Sequence, residues 1–500
     1  MESRKAEVLN MAKNRWLVLV LAMLMLASCG AKDNGGESMD TIADTTGNDN
    51  TTAAAETEAE TDSLEARKLV DDGLGKQDFG GKEYRMLYQV RYANFQNAEE
   101  LTGDVLNDAV YTRNMTVEDR LNVKLVHNTG EEDALAQHIK NSALSGNDEY
   151  DLYLGHTMYT GQYAVQGIFR NWYDTSVDFS KPWFPQTAIQ NLTLNGKMFL
   201  TASDICLSLA SNAYCYYFNK DLAEVNGLKD LYDVVNRGDW TLDYLMTNVA
   251  SIYQDINGDG AATEEDLYGF LGEKTNSVVA YLYSFKIPTA EIDDTGKLSI
   301  VLGTDERGVD AMDRLRTLLY DTVGSYPKDA DFTSMFSGQH AMFVTGVLDE
   351  SVSAYRDSCD FDYGIIPYPK YDTAQDGYYT VAGGSVSSSA IPITVSDLDL
   401  ISACFTALSA ENWKTVIPAY YDVTLKYKGA RDEASIAMID TILAGRNLDF
   451  AFMYDAFKGY MYKMKDFVQG NVALPTYVEK TRNGVEKHFE AVQELFFPEV

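Results

Sequence analysis

The sequence predicts an α/β protein folded as two lobes, on three observations. Strand-like and helix-like patterns alternate from residue 80 to about 170. About 420 residues remain for folding once a leader and a polar stretch are set aside, too many for one compact core. No internal repeat organises them.

The elements follow from periodicity. Gly80 and Gly81 precede a first strand over 84–90. Residues 104–121 place Leu106, Val110, Val117 and Leu121 on one helical face. Val123 and Leu125 then alternate with polar neighbours, and Leu135 and Ile139 mark a second helix. Residues 150–154 read as a strand closed by Gly155, and Ala164, Ile168 and Phe169 continue a third helix. Such alternation predicts a mostly parallel sheet covered on both faces, with ligands held beyond the carboxyl ends of its strands. The loops 91–96 and 155–160 fall there. Further strands are expected at 197–200, 213–218, 361–366 and 385–391, and helices at 242–253 and 309–320. Ile401, Cys404, Phe405 and Leu408 share one late helical face, and Ile436, Ile439 and Leu443 share another.

The start of the chain points to export. Arg4, Lys5, Lys13 and Arg15 precede a short apolar run, residues 16–27, shorter than the ~20 residues a membrane span needs. The run suits a signal-peptide core and ends in Leu26-Ala27-Ser28-Cys29. Small residues admit a signal peptidase, and the thiol of Cys29 can accept a diacylglycerol. This resembles a bacterial lipobox, with 1–28 as signal peptide and Cys29 as the lipidated first mature residue. Residues 29–78 are rich in Thr, Asp, Glu, Ala, Gly and Asn, with Lys32 the only base before Arg67. That composition cannot offset its ordering entropy, so a disordered acidic tether is expected. Such a tether would hold the folded part at the outer face of the cytoplasmic membrane, with lipid the only membrane contact.

The formal charge of -34 argues against nucleic acid, which needs basic patches. It does not by itself select a cationic ligand. Cys206, Cys215, Cys359 and Cys404 show no CxxC spacing. Cys206 and Cys215 can pair outside the cell, or all four can act as small buried hydrophobes.

Several segments, in order, carry a family likeness. They are Ala109-Val110-Tyr111-Thr112-Arg113-Asn114 with 117–123, Tyr150-Asp151-Leu152, Asn195-Gly196-Lys197 and Phe218-Asn219-Lys220-Asp221-Leu222. Phe336-Ser337-Gly338-Gln339-His340-Ala341-Met342-Phe343 and Tyr363-Gly364-Ile365-Ile366-Pro367-Tyr368-Pro369 complete the series. On these the chain resembles a family 1 extracellular solute-binding protein, the sugar-binding lipoprotein of an ABC importer, over residues 80–500. The resemblance implies the two-lobed, type II periplasmic-binding-protein-like fold, helices covering each sheet, with hinge strands crossing near 203–218 and 378–389. One lobe would comprise 79–205 plus 380–420, the other 206–379 plus 421–500. It also implies ABC permease subunits as partners, a monomer, and no catalytic group or required cofactor. Val347 and Leu348 stand where some sugar-binding members carry a tryptophan, so a maltose-like site is not matched.

A sugar site wants aromatic faces and planar hydrogen-bonding groups. By position the candidates are Tyr92, Asn94 and Phe95 after the first strand, His156 and Tyr159 after the third, and Asp204 at the first crossing. Tyr281, Tyr283 and Tyr379 are the candidates from the second lobe and second crossing. For each the alternative is core packing or an ordinary loop.

A second motif spans 255–266. Asp255, Asn257 and Asp259 alternate, Gly260 permits a sharp turn, Ala261 offers a carbonyl, and Asp266 takes the twelfth place. This is an EF-hand-like calcium spacing with Asp in place of the usual Glu. The alternative is a turn whose Asx side chains bond their own backbone. There is no Walker loop, HExxH or GxSxG, and the five histidines lack ligand spacing. Counting carboxylates leaves open a surface-anchored carbohydrate-active enzyme, and a glycan adhesin or sensor is the third reading.

Overall fold

The computed structural model describes residues 64–498 except 229, 294, 455–467 and 471. The signal peptide, Cys29 and the tether as far as 63 lie outside the described residues. The expected disorder does not extend to 78. Helix α1 (Leu64–Leu69) is followed by Asp72, fully buried and clamped by Arg120, and Arg67 lies 5.2 Å over Trp413. A charge that finds a partner on the folded body fixes the end of the segment there.

The first half is built on strand β1 (Lys82–Gln89), helix α2 (Val105–Leu121), β2 (Val123–Gly130), α3 (Glu132–Leu144), β3 (Leu152–His156), α4 (Thr157–Ala164) and α5 (Gln186–Leu192). Asp104 caps α2 by accepting from the amides of Leu106 and Asn107, and Asn122, in the left-handed region, ends it. Between them Leu106, Val110, Val117 and Leu121 are buried, as the periodicity predicts. Strands β2 and β3 flank β1 in parallel. Helix α4 stops at Ala164: Ile168 and Phe169 are core residues beyond it, Phe169 in a bridge to Pro392. Residues 197–200 form no strand; Lys197 closes a tight turn with Leu194.

The second half begins at β4 (Tyr214–Asn219) and continues through α6 (Leu242–Val249), β5 (Tyr253–Gln254), β6 (Leu267–Leu271), α7 (Asn276–Ser284), the hairpin β7 (Ala290–Ile292) and β8 (Leu298–Ile300), α8 (Glu306–Arg316), β9 (Ala341–Val347) and β10 (Tyr363–Ile366). Its sheet runs β10-β4-β9-β6-β5. Only β6 and β9 are parallel; β4 runs antiparallel to both neighbours. The expectation of mostly parallel sheets therefore holds for the first half alone, because β4 enters the second sheet from the crossing rather than from a helix.

The chain then returns through β11 (Thr380–Val381) to β12 (Ser387–Ala390), which joins the first sheet antiparallel to β3 and gives the order β12-β3-β1-β2. Helix α9 (Leu398–Glu411) packs on α2 and β1. Wide helical turns over 412–416 and 419–429 lead to α10 (Glu433–Ala444) on β10. Strand β13 (Arg446–Asn447), α11 (Phe450–Met453) and α12 (Leu474–Phe496) close the fold. Residues 421–500 do not belong wholly to the second half. Helix α11 packs on α4 and α5 of the first, and Asn195 and Lys197 bond the carbonyl of Phe496.

The two crossings touch. Ala213 bridges Ala382, Gly383 donates to the carbonyl of Asn212, and Thr380 Oγ1 donates to that of Tyr214. Strand β11 pairs on its other side with β13, Thr380 against Arg446. The connection is thus a ribbon three chains wide. The described residues all fall in one compact unit, 61–500, and one apolar cluster holds residues of both halves, Tyr92 and Phe95 with Tyr217 and Tyr363. No described helix is long and apolar enough to cross a membrane.

Candidate functional site

The carboxyl ends of the parallel strands define the site. On the first half, β1 delivers Gln89, Arg91 and Tyr92, β2 leads into Glu132, and β3 ends at His156. Gln89 is fully buried; its amide donates to the carbonyl of Ser385 and to Ser387 Oγ, and its Oε1 has no partner. Tyr92 is 6 % exposed, and its hydroxyl, near Ser385 and Asn212, closes no hydrogen bond. His156 stacks at 4.6 Å with Tyr159 and has an unpartnered Nδ1. Burial holds its imidazole down at about 4, Arg91 adding to the effect and Glu132 opposing it. At neutral pH it is uncharged. Arg91 pairs with Glu132 at 2.5 Å.

On the second half a cavity of about 250 Å³ opens at the ends of β6 and β9. Its walls include Tyr214 of the ribbon, Glu273 and Asn276 after β6, Thr345 at the end of β9, and Glu350. Glu273 follows β6 and accepts from the amides of Thr275, Asn276 and Ser277, fixing the start of α7 at the cavity wall. Burial pushes the carboxyl of Glu350 up to about 7, with the neighbouring Asp349 adding to the shift and the Val347 amide opposing it. Asp349 is raised too by burial; Tyr420 donates to it at 3.2 Å and Arg91 lies within electrostatic reach. Tyr214 joins the two walls: a Cβ on Gly383 would stand 3.1 Å from its hydroxyl, next to Ser385. The cleft is therefore narrow and polar, with carboxylates and hydroxyls on its walls.

The structure places the sequence candidates unevenly. His156 and Tyr159 stack at the end of β3, and Tyr92 follows the end of the neighbouring β1. Phe95 is buried against Tyr92 and Tyr420, with ring centres 6.0 and 5.6 Å away, and acts as packing. Asn94 is exposed on the adjoining short helix. Asp204 faces Arg446 and Arg67 below the first crossing, and burial raises its carboxyl to about 7. It does not line the cavity. Tyr281 is wholly buried among Tyr216, Phe285 and Tyr368. Tyr283 and Tyr379 meet in a separate cavity of about 490 Å³ at the opposite edge of the ribbon, beside Arg446 and Asn447. Tyr283 there donates to Asp449 at 3.2 Å. Sequence reading missed Gln89, Tyr214, Glu273, Asn276 and Glu350. Applying the strand-end rule to 267–271 would have found Glu273.

The loop 255–266 follows β5, not α6, and joins β5 to β6 as a hairpin. Asp255 accepts from the amides of Gly258 and Gly260, and Asp266, fully buried, from those of Ile256 and Thr263. Gly258 and Gly260 sit at φ 73° and 75°, in the left-handed region that a residue with its own Cβ rarely adopts. Asp259 and Asn257 serve the same turn, Asp259 accepting from the Ala261 amide at 2.7 Å. No three acidic, histidine or cysteine side chains gather as a metal cluster among the described residues. The four described cysteines are buried and free.

No family model and no curated protein matches the sequence. Solved structures do. An ABC transporter associated binding protein from B. animalis subsp. lactis, in complex with beta-1,6-galactobiose, superposes with a TM-score of 0.56 at 12% identity, covering 83% of this chain and 98% of that one. An ABC substrate-binding protein from Listeria monocytogenes, in complex with cycloalternan, gives 0.55 at 10% identity over 82% and 99%. A family 1 extracellular solute-binding protein from Bifidobacterium longum subsp. infantis gives 0.51 at 14% over 83% and 99%. The fold is that of the two-lobed solute-binding proteins. The structures it is similar to are binding proteins and not enzymes.

Proposed function

We propose that the chain is an extracellular solute-binding receptor that captures a small polar ligand, a sugar or oligosaccharide, and delivers it to an ABC permease. The observation that carries this reading is the polar cleft at the strand ends of both halves, spanned by a narrow ribbon. Buried polar atoms without partners, Gln89 Oε1, Tyr92 OH and His156 Nδ1, each cost free energy until something bonds them. A ligand that does so makes its full set of contacts only when the halves close, so binding and closure are one event. Binding alone suffices, and no group here is asked to catalyse. Solved proteins of the same fold hold galactobiose and cycloalternan, which supports a saccharide.

Purified protein titrated with mono- and oligosaccharides by calorimetry should give stoichiometric binding without products. Turnover of the saccharide would overturn the reading in favour of a carbohydrate-active enzyme. Deletion of the gene should abolish uptake of the same saccharide; unimpaired uptake would favour an adhesin or sensor. The same proposal holds the chain, as a monomer, at the outer face of the cytoplasmic membrane through Cys29. Incorporation of labelled fatty acid should be lost in Cys29→Ala.

A further inference from the structure

One cation on the first half stands between two possible partners. Arg91 follows β1, Glu132 opens α3 and His156 ends β3. Arg91 Nη1 donates to Glu132 Oε1 at 2.5 Å, its one hydrogen bond among the described residues, and the guanidinium lies 5.2 Å over the Tyr92 ring. The other oxygen of Glu132 is 3.8 Å from His156 Nε2. On the second half, Asp349 follows β9 and is half-buried. It accepts from the Tyr420 hydroxyl at 3.2 Å and has Glu350 beside it. It forms no ion pair among the described residues, and Arg91 is the base whose field reaches it.

Packing brings these groups together independently of charge. The amide of Asp349 donates to the carbonyl of Ser211, and that of Leu348 to Ala213, which pins this part of the second wall to the first crossing. From the first half a row of rings runs Tyr92, Phe95, Tyr420, with centres 6.0 and 5.6 Å apart, and ends on the Asp349 carboxylate. Arg91 covers the first ring of that row, and Asp349 closes its far end. The Tyr92 hydroxyl is near Asn212, so both ends of the row lie beside the crossing. Atoms close to a rotation axis move little. A guanidinium carries five donors on a flexible stem, and that of Arg91 uses one of them here, so it can change partner without moving backbone.

We propose that Arg91 is a latch across the cleft: it rests on Glu132 of its own half and shifts to Asp349 of the other half as the cleft closes. The proposal rests on the receptor reading above and names the positioning residues of its closing motion. The two pairings differ in their surroundings. The outer pair stays wet, with the Arg91 side chain 48% and that of Glu132 31% exposed, and a wet pair contributes little. Closure over a ligand displaces water from the inner pair and strengthens it. It also gives a cation to two neighbouring acids, Asp349 and Glu350, that burial leaves costly without one. Glu132, released, keeps His156 as its neighbour.

The test is a mutant cycle on the full exported chain, read first without ligand. Energy transfer is measured between labels at Thr129→Cys, at the carboxyl end of β2, and Lys328→Cys, both exposed. Glu132→Gln removes the resting partner and should raise transfer in the ligand-free protein. Calorimetry with β-1,6-galactobiose, maltotetraose and cycloalternan follows. Whichever of these binds should bind about three- to tenfold tighter to Glu132→Gln and about three- to tenfold weaker to Asp349→Asn. In an Arg91→Met background both substitutions should be silent, because the side chain they compete for is gone. A structural role for these residues predicts loss in every variant and no opposite signs. Unchanged transfer in Glu132→Gln overturns the latch. Effects that persist in Arg91→Met overturn it as well. Should no saccharide bind, the ligand-free transfer still decides the latch, and the saccharide reading is what fails.

Discussion

At the scale of single residues, two buried charges set the tone. Arg113 is 1 % exposed and faces no carboxylate; its guanidinium donates to the carbonyls of Phe95 and Gln96 and to the side chains of Asn114 and Asn412. Burial lowers its pKa to about 9. It ties the segment carrying Tyr92 to the helical crossover, and Asn412 in turn bonds the carbonyl of Asp204. Arg113→Ala removes a donor from four oxygens, of which the Gln96 carbonyl keeps Asn114 Nδ2, and should destabilise the fold by about 2–4 kcal/mol in urea unfolding. Glu350 acts the other way. An acid whose folded value lies above its unfolded one binds more protons when folded, so stability falls as pH rises from about 4.5 to about 7 and stays lowered beyond. Glu350→Gln should therefore raise the melting temperature by about 1–3 °C at pH 8 and not at pH 4. The candidate residues were legible in the sequence only where a strand had been recognised. Tyr92, His156 and Tyr159 follow β1 and β3, whose apolar runs are plain. Glu273 escaped because β6 is a short run, Leu267–Leu271, with no alternation to announce it. Tyr281 misled because a tyrosine near a helix end reads the same whether its hydroxyl meets ligand or, as here, another buried tyrosine.

At the scale of elements, close approaches decide where the C-terminal segment sits. A Cβ on Gly161 of α4 would lie 2.3 Å from the carbonyl oxygen of Met453 and 2.6 Å from Cα of Tyr454. Backbone cannot yield as a side chain tip does, so Gly161→Ala should cost about 1–3 kcal/mol by overpacking. Gly484, within α12, meets nothing within 4 Å, and Gly484→Ala should stabilise by about 0.5–1 kcal/mol. Equal effects at the two sites, measured by thermal unfolding, would contradict the docking of α11 on α4. The hairpin loop 255–266 supports a second test. Its side chains already satisfy local amides, and we propose that calcium, common outside cells, adds to that closure. Calcium should raise the melting temperature and EDTA reverse it; no shift with either would leave the loop a self-bonded turn. The spacing that suggested a metal also specifies an Asx-bonded hairpin, because both need short oxygens at alternate positions and glycine at positive φ.

At the scale of the whole molecule, the α/β class and the two sheets followed from pattern, while strand direction did not. Periodicity reports which face is buried and is blind to whether a strand arrives from a helix or from a crossing, and β4 arrives from a crossing. Nor could it foresee that α11 and the end of α12 would bind the first half, since those contacts join residues some 250 to 300 positions apart. The ribbon of 213–214, 380–382 and 446–447 is the axis we propose for relative motion, with cavities at both its edges. Closure over the strand ends is the central claim. It is tested most directly by fluorescence energy transfer between labels at Asp133→Cys and Lys328→Cys, exposed sites on the two halves near the cleft, the four described native cysteines being buried. Titration with the saccharide that binds in calorimetry should raise transfer efficiency to a plateau at the same stoichiometry. Saturated binding with an unchanged distance would contradict the account.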